Sequence, residues 1–260
     1  MKICRLIDPE TQRPRYGMIE GSEVFTLLGD LSEGNLSLEA AEPRVRLAEA
    51  KLLPPVVPSK IVCVGRNYKE HAAELGNSMP SEPLLFLKAP SAVIGDGDAI
   101  ELPSASERVE HEGELAVVIG RRCRRIGDDE DPLSYVLGYT CANDVTARDL
   151  QRKDVQFTRA KSFDTFCPAG PFVVTGLDPL DLLVETRVNG ELRQSGRTSA
   201  MAFPVPFLLR YISNVMTLEP GDLVSTGTPA GVGPLLDGDT VEVSVEGVGT
   251  LRNPVRATEG

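Results

Sequence analysis

The stretch Val109-Glu-His-Glu-Gly-Glu-Leu-Ala-Val-Val-Ile119 carries the strongest signal for the fold, because alternating acidic residues lead directly into an apolar run. Such a run is typical of a strand that is buried on both faces. Side chains two apart in a strand point the same way, so one strand here would place Glu110, Glu112 and Glu114 on one face and His111 on the other. Buried carboxylates have to be neutralised. A bound cation and a solvated acidic stripe both remain compatible with this stretch.

A fourth acidic residue, Asp144, follows the apolar residues 135–141 and precedes a helical pattern at residues 145–153. It is therefore expected at the end of a strand or as the N-cap of a helix. A carboxylate has two oxygens, so it can cap a helix and bind a metal at once. Oxygen ligands favour Mg²⁺ or Mn²⁺, whereas zinc prefers histidine or cysteine.

Residues 66–76 predict a short helix in which Asn67 is the N-cap, Glu70 completes a capping box and Gly76 ends the helix. His71 and Glu74 are three residues apart and lie on one face. The carboxylate can orient the imidazole and favour its protonated form, which suits a general acid and base or a group that orients water. An exposed ion pair would have the same spacing.

Two further segments could contact an anionic substrate. Lys161 lies in a partly apolar stretch, where it could stabilise an anion or enolate or could be an ordinary surface amine. Residues 225–233 are rich in glycine, so their backbone N–H groups and the Thr228 hydroxyl could hold a carboxylate. A plain hairpin turn would use similar residues, and the segment matches neither phosphate-loop pattern.

Composition narrows the classes of function. The 260 residues include 38 acidic and 27 basic ones, and the net charge of -11 makes nucleic acid or an anionic membrane surface an unfavourable partner. The 5 cysteines are widely spaced and the chain has only 2 histidines, which argues against a zinc framework and for buried free thiols in a reducing compartment. We find no signal peptide and no apolar stretch of roughly 18 residues, so a cytoplasmic protein is expected.

The pattern along the chain predicts a small β-rich N-terminal domain, residues 1–57, and a larger domain, residues 58–260, separated near the proline-rich residues 53–58. Strands are expected at residues 3–7, 16–20, 23–26, 61–64, 84–88, 115–119, 172–175, 183–188, 223–226 and 240–245. Helices are expected at residues 43–50, 68–75, 145–153 and 205–216. The alternation typical of a doubly wound sheet is missing, so the fold class is α+β and mostly β.

Taken together and in order, six segments over residues 60–255 resemble the fumarylacetoacetate hydrolase family. They are Gly65-Arg-Asn-Tyr68, His71-Ala-Ala-Glu74, Glu112-Gly-Glu-Leu115, Asn143-Asp-Val-Thr-Ala-Arg-Asp149, Lys161-Ser-Phe-Asp164 and Thr226-Gly-Thr-Pro229. The resemblance implies a mixed β-roll of distorted sheets and a homodimer. Residues 1–55 carry no interpretable motif, so a structural role is expected for the N-terminal domain.

The resemblance also implies site residues. The metal ligands would be Glu112, Glu114 and Asp144, and the catalytic groups His71, Glu74 and Lys161. The residues that would bind substrate are Arg66, Tyr68, Arg148, Gln151 and Thr228.

The function that follows is a divalent-metal-dependent enzyme for a small 2-oxo acid. The main expectation is hydrolysis of a C–C bond in an acylpyruvate such as fumarylpyruvate or acetylpyruvate, with the His71–Glu74 pair activating water and Lys161 helping to stabilise the pyruvate enolate. Oxaloacetate decarboxylation, oxaloacetate keto–enol tautomerisation, and isomerisation or decarboxylation of a 2-oxo acid from aromatic catabolism share that enolate, so the motifs do not separate them. A protein that binds metal and dicarboxylate without turnover is a remote alternative.

Overall fold

The computed structural model describes residues 1–258, and for residues 40–44 it describes the backbone alone. The described chain is mostly β, with strands β1 to β20 in sequence order: Lys2–Ile7, Pro14–Glu20, Glu23–Leu27, Ala40–Arg46, Lys51–Leu53, Ile61–Gly65, Leu84–Lys88, Val93–Ile94, Ile100–Leu102, Val109–His111, Gly113–Ile119, Val136–Asn143, Thr146–Ala147, Cys167–Val174, Leu183–Val188, Glu191–Arg197, Leu223–Ser225, Gly233–Pro234, Thr240–Val245 and Gly249–Ala257. The α-helices α1 to α4 are Lys69–Glu74, Arg148–Lys153, Thr158–Lys161 and Val205–Val215. The expected α+β, mostly β fold is confirmed.

The strands form three sheets. The largest has 12 strands, with the path β4-β3-β2-β1-β14-β12-β11-β17-β6-β7 and with β5 and β8 attached to β1 and β14. A 3-stranded sheet has the order β13-β10-β18, and a 5-stranded sheet has the order β16-β15-β19-β20-β9. Most pairs are antiparallel, while β17 runs parallel to β6.

The N-terminal strands extend the central sheet rather than forming a sheet of their own. Strand β1 pairs with β14, with Lys2 opposite Val174, and with β2 on its other side. The N-terminal segment therefore shares backbone hydrogen bonds with the strands that carry the rest of the fold.

The larger predicted domain extends to residue 260, but residues 259 and 260 lie outside the described chain.

Strand β11 lies inside the central sheet and is buried along its whole length. Val117 belongs to a core cluster with Val243 of the 5-stranded sheet and Leu208 of α4. Its neighbour Val118 points to the other face and packs in a second cluster with Ile3. Because both faces are covered, both sets of alternating side chains must be apolar, which explains the continuous apolar run.

The predicted strands are confirmed within a few residues, and so are the three helices expected at residues 68–75, 145–153 and 205–216. The helix expected at residues 43–50 is wrong. Strand β4 occupies Ala40–Arg46 and is followed by a single 3₁₀ turn at Leu47–Glu49. Backbone pairing with β3, with Val24 opposite Val45, outweighs the local helical pattern, and an edge strand tolerates the missing N–H of Pro43.

The single strand predicted through residues 109–119 is also wrong, because the chain changes sheet at Glu112. Strand β10 pairs with β13 and β18, whereas β11 pairs with β12 and β17. Gly113 follows the break, and a Cβ there would lie 2.0 Å from the Thr186 hydroxyl oxygen. Only glycine lets the backbone approach the 5-stranded sheet this closely.

Two other expectations concern the chain as a whole. All 5 cysteines are buried and free, which confirms their prediction as buried thiols. Within residues 1–258, no helix combines the length and the apolar character that a membrane crossing requires.

Candidate metal centre and active site

Three buried carboxylates converge where β10, β11 and β12 meet. Glu112 lies at the break between β10 and β11, Glu114 is on β11, and Asp144 directly follows β12. One oxygen from each lies within 4.8 Å of the others. The antiparallel pairing fixes this geometry, because Glu114 is opposite Ala142 and the Asp144 N–H donates to the Glu112 carbonyl at 2.8 Å. Two strand ends thus supply one ligand cluster.

Asp144 is at the end of a strand, which is the first of its two expected positions, and it does not cap a helix. Helix α2 begins at Arg148, and its N-cap position is Ala147. Three residues, Val145 and the two of β13, separate Asp144 from the helix, and the Asp144 carboxylate instead accepts from Lys88 and Lys161.

The donor set fits a hard divalent cation. It offers carboxylate oxygens and neither imidazole nor thiolate, which favours Mg²⁺ or Mn²⁺. The Oε2 atom of Glu114 accepts from the Ser225 hydroxyl at 2.5 Å and from the Gly227 N–H at 2.8 Å. Its Oε1 atom has no donor among the described residues, so one oxygen remains for a cation. We conclude that these three side chains could hold the metal.

Basic side chains surround the carboxylates. The Lys161 ammonium donates to Glu112 at 2.8 Å and to Asp144 at 2.6 Å, and it is buried rather than a surface amine. It also lies 5.0 Å above the Phe86 ring. The Arg148 guanidinium pairs with Glu112. Lys161 therefore sits beside the proposed ligands, where it can contact an anionic substrate.

Lys88 is a buried member of this cluster that the sequence reasoning missed. Its ammonium donates to Asp144 at 2.6 Å and to the Val145 carbonyl at 3.1 Å. It shares a strand face with Phe86, while Leu87 between them is largely exposed. A lysine that ends an apolar strand was the available signal, although an exposed strand end has the same pattern.

Glu110 is not one of the three clustered carboxylates, and it pairs with Arg148. It accepts from the Arg148 Nε at 2.7 Å and from the Arg108 Nε at 2.5 Å. Burial alone would raise the pKa of Glu110, but Arg148 and Arg108 together outweigh burial and hold that pKa below its ordinary value. Glu110 thereby orients a predicted substrate-binding residue.

Burial and neighbouring charge move the pKa values of two ligands in opposite directions. Burial would raise the pKa of Glu112, but Lys161 and Arg148 outweigh burial and hold it well below its ordinary value. Burial and the charge of Asp144 raise the pKa of Glu114 to about 8. At neutral pH the metal-free cluster therefore keeps a proton on Glu114, and a cation has to displace that proton.

The predicted His71–Glu74 pair forms on α1. The His71 Nδ1 lies 3.4 Å from the Glu74 Oε2, and the Gly231 N–H donates to the Glu74 carboxylate at 3.1 and 3.2 Å. His71 is 5% exposed and lines the cavity above the triad. Its Nε2 has no partner within the described chain, so this atom is available for proton transfer.

The capping box predicted for α1 does not form. The N-cap position is Tyr68, and it makes no side-chain capping bond. The Asn67 amide instead donates to the Thr226 carbonyl at 2.7 Å, and its oxygen accepts from the Phe203 N–H at 2.9 Å. Tertiary contacts thus fix the residue before the helix. Gly76, with φ 70°, ends the helix as expected.

A small inner cavity of about 60 Å³ brings most of the predicted site together. The predicted residues that line it are Arg66, His71, Glu112, Glu114, Asp144, Arg148, Gln151, Lys161 and Thr228. Glu74 contacts His71 from behind and does not line the cavity. Tyr68 lies beside a separate surface groove near Pro229, and its buried hydroxyl has no hydrogen-bond partner.

Gln194 on β16 is a second residue that the sequence reasoning missed. Its amide oxygen accepts from the Gly113 N–H at 3.0 Å, and its amide nitrogen donates to the Thr228 hydroxyl at 2.7 Å. It therefore ties the ligand strand to the glycine-rich segment. His111 contacts the same amide oxygen at 3.1 Å and does not line the inner cavity. A lone buried glutamine in an exposed strand gives no local signal.

The fold and the site agree with the protein family that the sequence comparisons identify. The family model described as fumarylacetoacetate (FAA) hydrolase C-terminal matches residues 60–256. A second model, described as Rv2993c-like, N-terminal, matches residues 1–55. The chain belongs to the fumarylacetoacetate hydrolase family.

Particular relatives are informative about chemistry. The oxaloacetate tautomerase YisK of Bacillus subtilis is 46% identical over 224 residues, which cover 80% of this chain and 74% of that protein. The mitochondrial oxaloacetate tautomerase FAHD1 of Bos taurus is 43% identical over 205 residues, 76% of this chain and 92% of that protein. The crystal structure of a 5-carboxymethyl-2-hydroxymuconate delta-isomerase from Mycobacterium smegmatis has a TM-score of 0.90 and 44% identity, covering 99% of this chain and 100% of that one.

Proposed function

We propose that this protein is a divalent-metal-dependent tautomerase that moves a proton between C3 and the 2-oxo oxygen of oxaloacetate or a closely related 2-oxo dicarboxylic acid. The observation that carries the proposal is the buried His71, whose Nδ1 faces Glu74, whose Nε2 has no partner among the described residues, and which lines the same cavity as the carboxylate triad. The relatives named as oxaloacetate tautomerases and as an isomerase support it. They favour proton transfer over the hydrolysis that was the main expectation from the sequence.

A cation held by Glu112, Glu114 and Asp144 would withdraw electron density from the 2-oxo group and so acidify the C3 hydrogen. The His71 Nε2 accepts the C3 proton and returns it to the 2-oxo oxygen. Glu74 holds the imidazole in place. The reaction balances without water, because one proton leaves carbon and one proton reaches oxygen.

Lys161 stabilises the negative charge that develops on the 2-oxo oxygen. Its ammonium is buried, and burial would lower its pKa, but the charges of Asp144 and Glu112 outweigh burial and raise it. The side chain therefore stays a cation at the pH of the reaction. A fixed positive charge in a site that excludes water stabilises an enolate strongly.

Acylpyruvate hydrolysis is the second candidate, because the His71–Glu74 pair could also activate a water molecule. Oxaloacetate decarboxylation would use the same cation and Lys161. Three readouts separate these activities: enol absorbance for tautomerisation, pyruvate accumulation for decarboxylation, and loss of acylpyruvate absorbance for hydrolysis.

The experiment uses chelator-treated protein reconstituted with Mg²⁺ or Mn²⁺, together with a blank containing metal alone. We expect ketonisation of enol-oxaloacetate faster than the blank, without matching pyruvate release. Glu112→Gln should abolish it, and His71→Asn should lower kcat by about 10²- to 10⁴-fold. The matched control is His111→Asn, which changes the other histidine of the chain, located outside the cavity. Turnover of acetylpyruvate alone, or equal effects of the two histidine variants, would refute the proposal.

The homodimer implied by the family resemblance is a separate proposal. Light scattering coupled to size-exclusion chromatography tests it directly. A mass of twice 28.0 kDa is the expected result.

A further inference from the structure

A vestibule of about 240 Å³ lies outside the inner cavity. The two spaces share Arg66, Leu75, Asn77, Arg148, Gln151 and Phe157 in their walls, so they are continuous. Arg152, on the exposed side of α2, lines only the vestibule. A ligand bound at the triad would therefore extend into this space.

The vestibule wall is basic, in contrast to the chain as a whole. None of the described residues that line it is acidic, although the protein has a net charge of -11. The Arg148 guanidinium is already engaged by Glu110 and Glu112. The side chains of Arg66 and Arg152 have neither an ion pair nor a hydrogen bond with any of residues 1–258. Two guanidinium groups are thus free to bind an anion.

The position of Arg66 is fixed by its surroundings. It has a φ of 56°, a conformation that costs a non-glycine residue about 1 kcal/mol or more. The next residue, Asn67, is tied to Phe203 and Thr226 by its side chain. The turn after β6 therefore holds Arg66 at the mouth of the inner cavity, where the side chain lines both spaces.

The volumes of the two spaces indicate that the tail of a substrate lies in the vestibule. The inner cavity of about 60 Å³ has little room beyond a cation and the two oxygens of a 2-oxo acid head. The remaining carbons have to lie in the outer space of about 240 Å³. A second carboxylate on that tail would lie among Arg66, Arg152 and the Asn77 amide.

We infer that Arg66 and Arg152 form a binding site for a second carboxylate, which makes the enzyme selective for 2-oxo dicarboxylic acids over 2-oxo monocarboxylic acids of the same length. This inference rests on the proposed function, since it assumes that the 2-oxo acid head binds at the triad. Arginine suits the role because its planar donors match a carboxylate.

Binding measurements test the inference without turnover. Isothermal titration calorimetry of the Mn²⁺-loaded protein compares 2-oxoglutarate with 2-oxopentanoate, which has the same number of carbons and an uncharged tail. We expect 2-oxoglutarate to bind at least tenfold more tightly, about 1.4 kcal/mol. Arg66→Gln and Arg152→Gln should each reduce this preference about threefold or more, and the double variant should remove it.

The matched control is Lys153→Gln, which removes an exposed positive charge from the same helix but outside the vestibule. It should keep the full preference. The inference is overturned if the wild type shows no preference, if the arginine variants keep it, or if Lys153→Gln reduces it as much as Arg152→Gln does.

Kinetics separates this inference from the proposed function. If oxaloacetate is tautomerised, the arginine variants should raise KM at least threefold and leave kcat within about twofold. If oxaloacetate is not tautomerised but the arginine-dependent preference persists, the proposed function fails and the carboxylate site stands. If tautomerisation is normal but both variants keep the wild-type preference and KM, the carboxylate site fails and the proposed function stands.

Discussion

The buried proton on Glu114 should make the metal-free protein lose stability as pH rises. In the folded chain the pKa of Glu114 is raised from 4.5 to about 8 by burial and by the charge of Asp144. Between these two pH values the folded state binds more protons than the unfolded state, so the free energy of unfolding falls with increasing pH. At about 1.36 kcal/mol per pH unit, the interval corresponds to about 5 kcal/mol at most.

Urea denaturation of the chelator-treated protein at pH 5, 6, 7 and 8 measures this loss. The control is Glu114→Gln, whose amide has nearly the shape of a neutral carboxyl group and does not titrate. The wild type should lose several kcal/mol relative to the variant between pH 5 and 8, and saturating Mn²⁺ at pH 8 should restore its stability, because the cation binds the ionised carboxylate. Parallel pH profiles for the two proteins would show that Glu114 does not hold a proton in the folded state.

Three substitutions probe residues that support the site. Lys88→Met leaves the buried Asp144 with one ammonium partner fewer, so the free energy of unfolding should fall by about 3 kcal/mol in urea denaturation, and an unchanged midpoint would contradict this. Gln194→Leu breaks the link between the ligand strand and the glycine-rich segment and should raise KM about tenfold, whereas wild-type kinetics would show that the link is dispensable. At Gly231, φ is 103° and a Cβ would lie 2.0 Å from a backbone oxygen, so Gly231→Ala should displace the N–H that donates to Glu74. We expect kcat to fall about tenfold with little change in KM, whereas an unchanged kcat would argue against this role.

Local patterns were sufficient where a segment's own side chains decide its structure. The apolar runs of β6, β11 and β17 predicted strands because buried strands need apolar residues on both faces. Helix α4 was predicted because its apolar residues recur at helical spacing and face the core. The helix predicted at residues 43–50 failed because pairing with β3, which is remote from any local pattern, decides the conformation there.

The ordered motifs of the sequence determined the family, and they pointed to Glu112, Glu114 and Asp144 as the expected metal ligands. Tertiary structure alone decided how they are neutralised. Lys88 and Gln194 come from strands that are distant in sequence, and both side chains are buried and contact residues of the site. The break at Glu112 and the free guanidinium groups of the vestibule likewise follow from how the sheets pack. A linear sequence records which groups are present, while their charge balance depends on which groups the fold brings within a few ångströms.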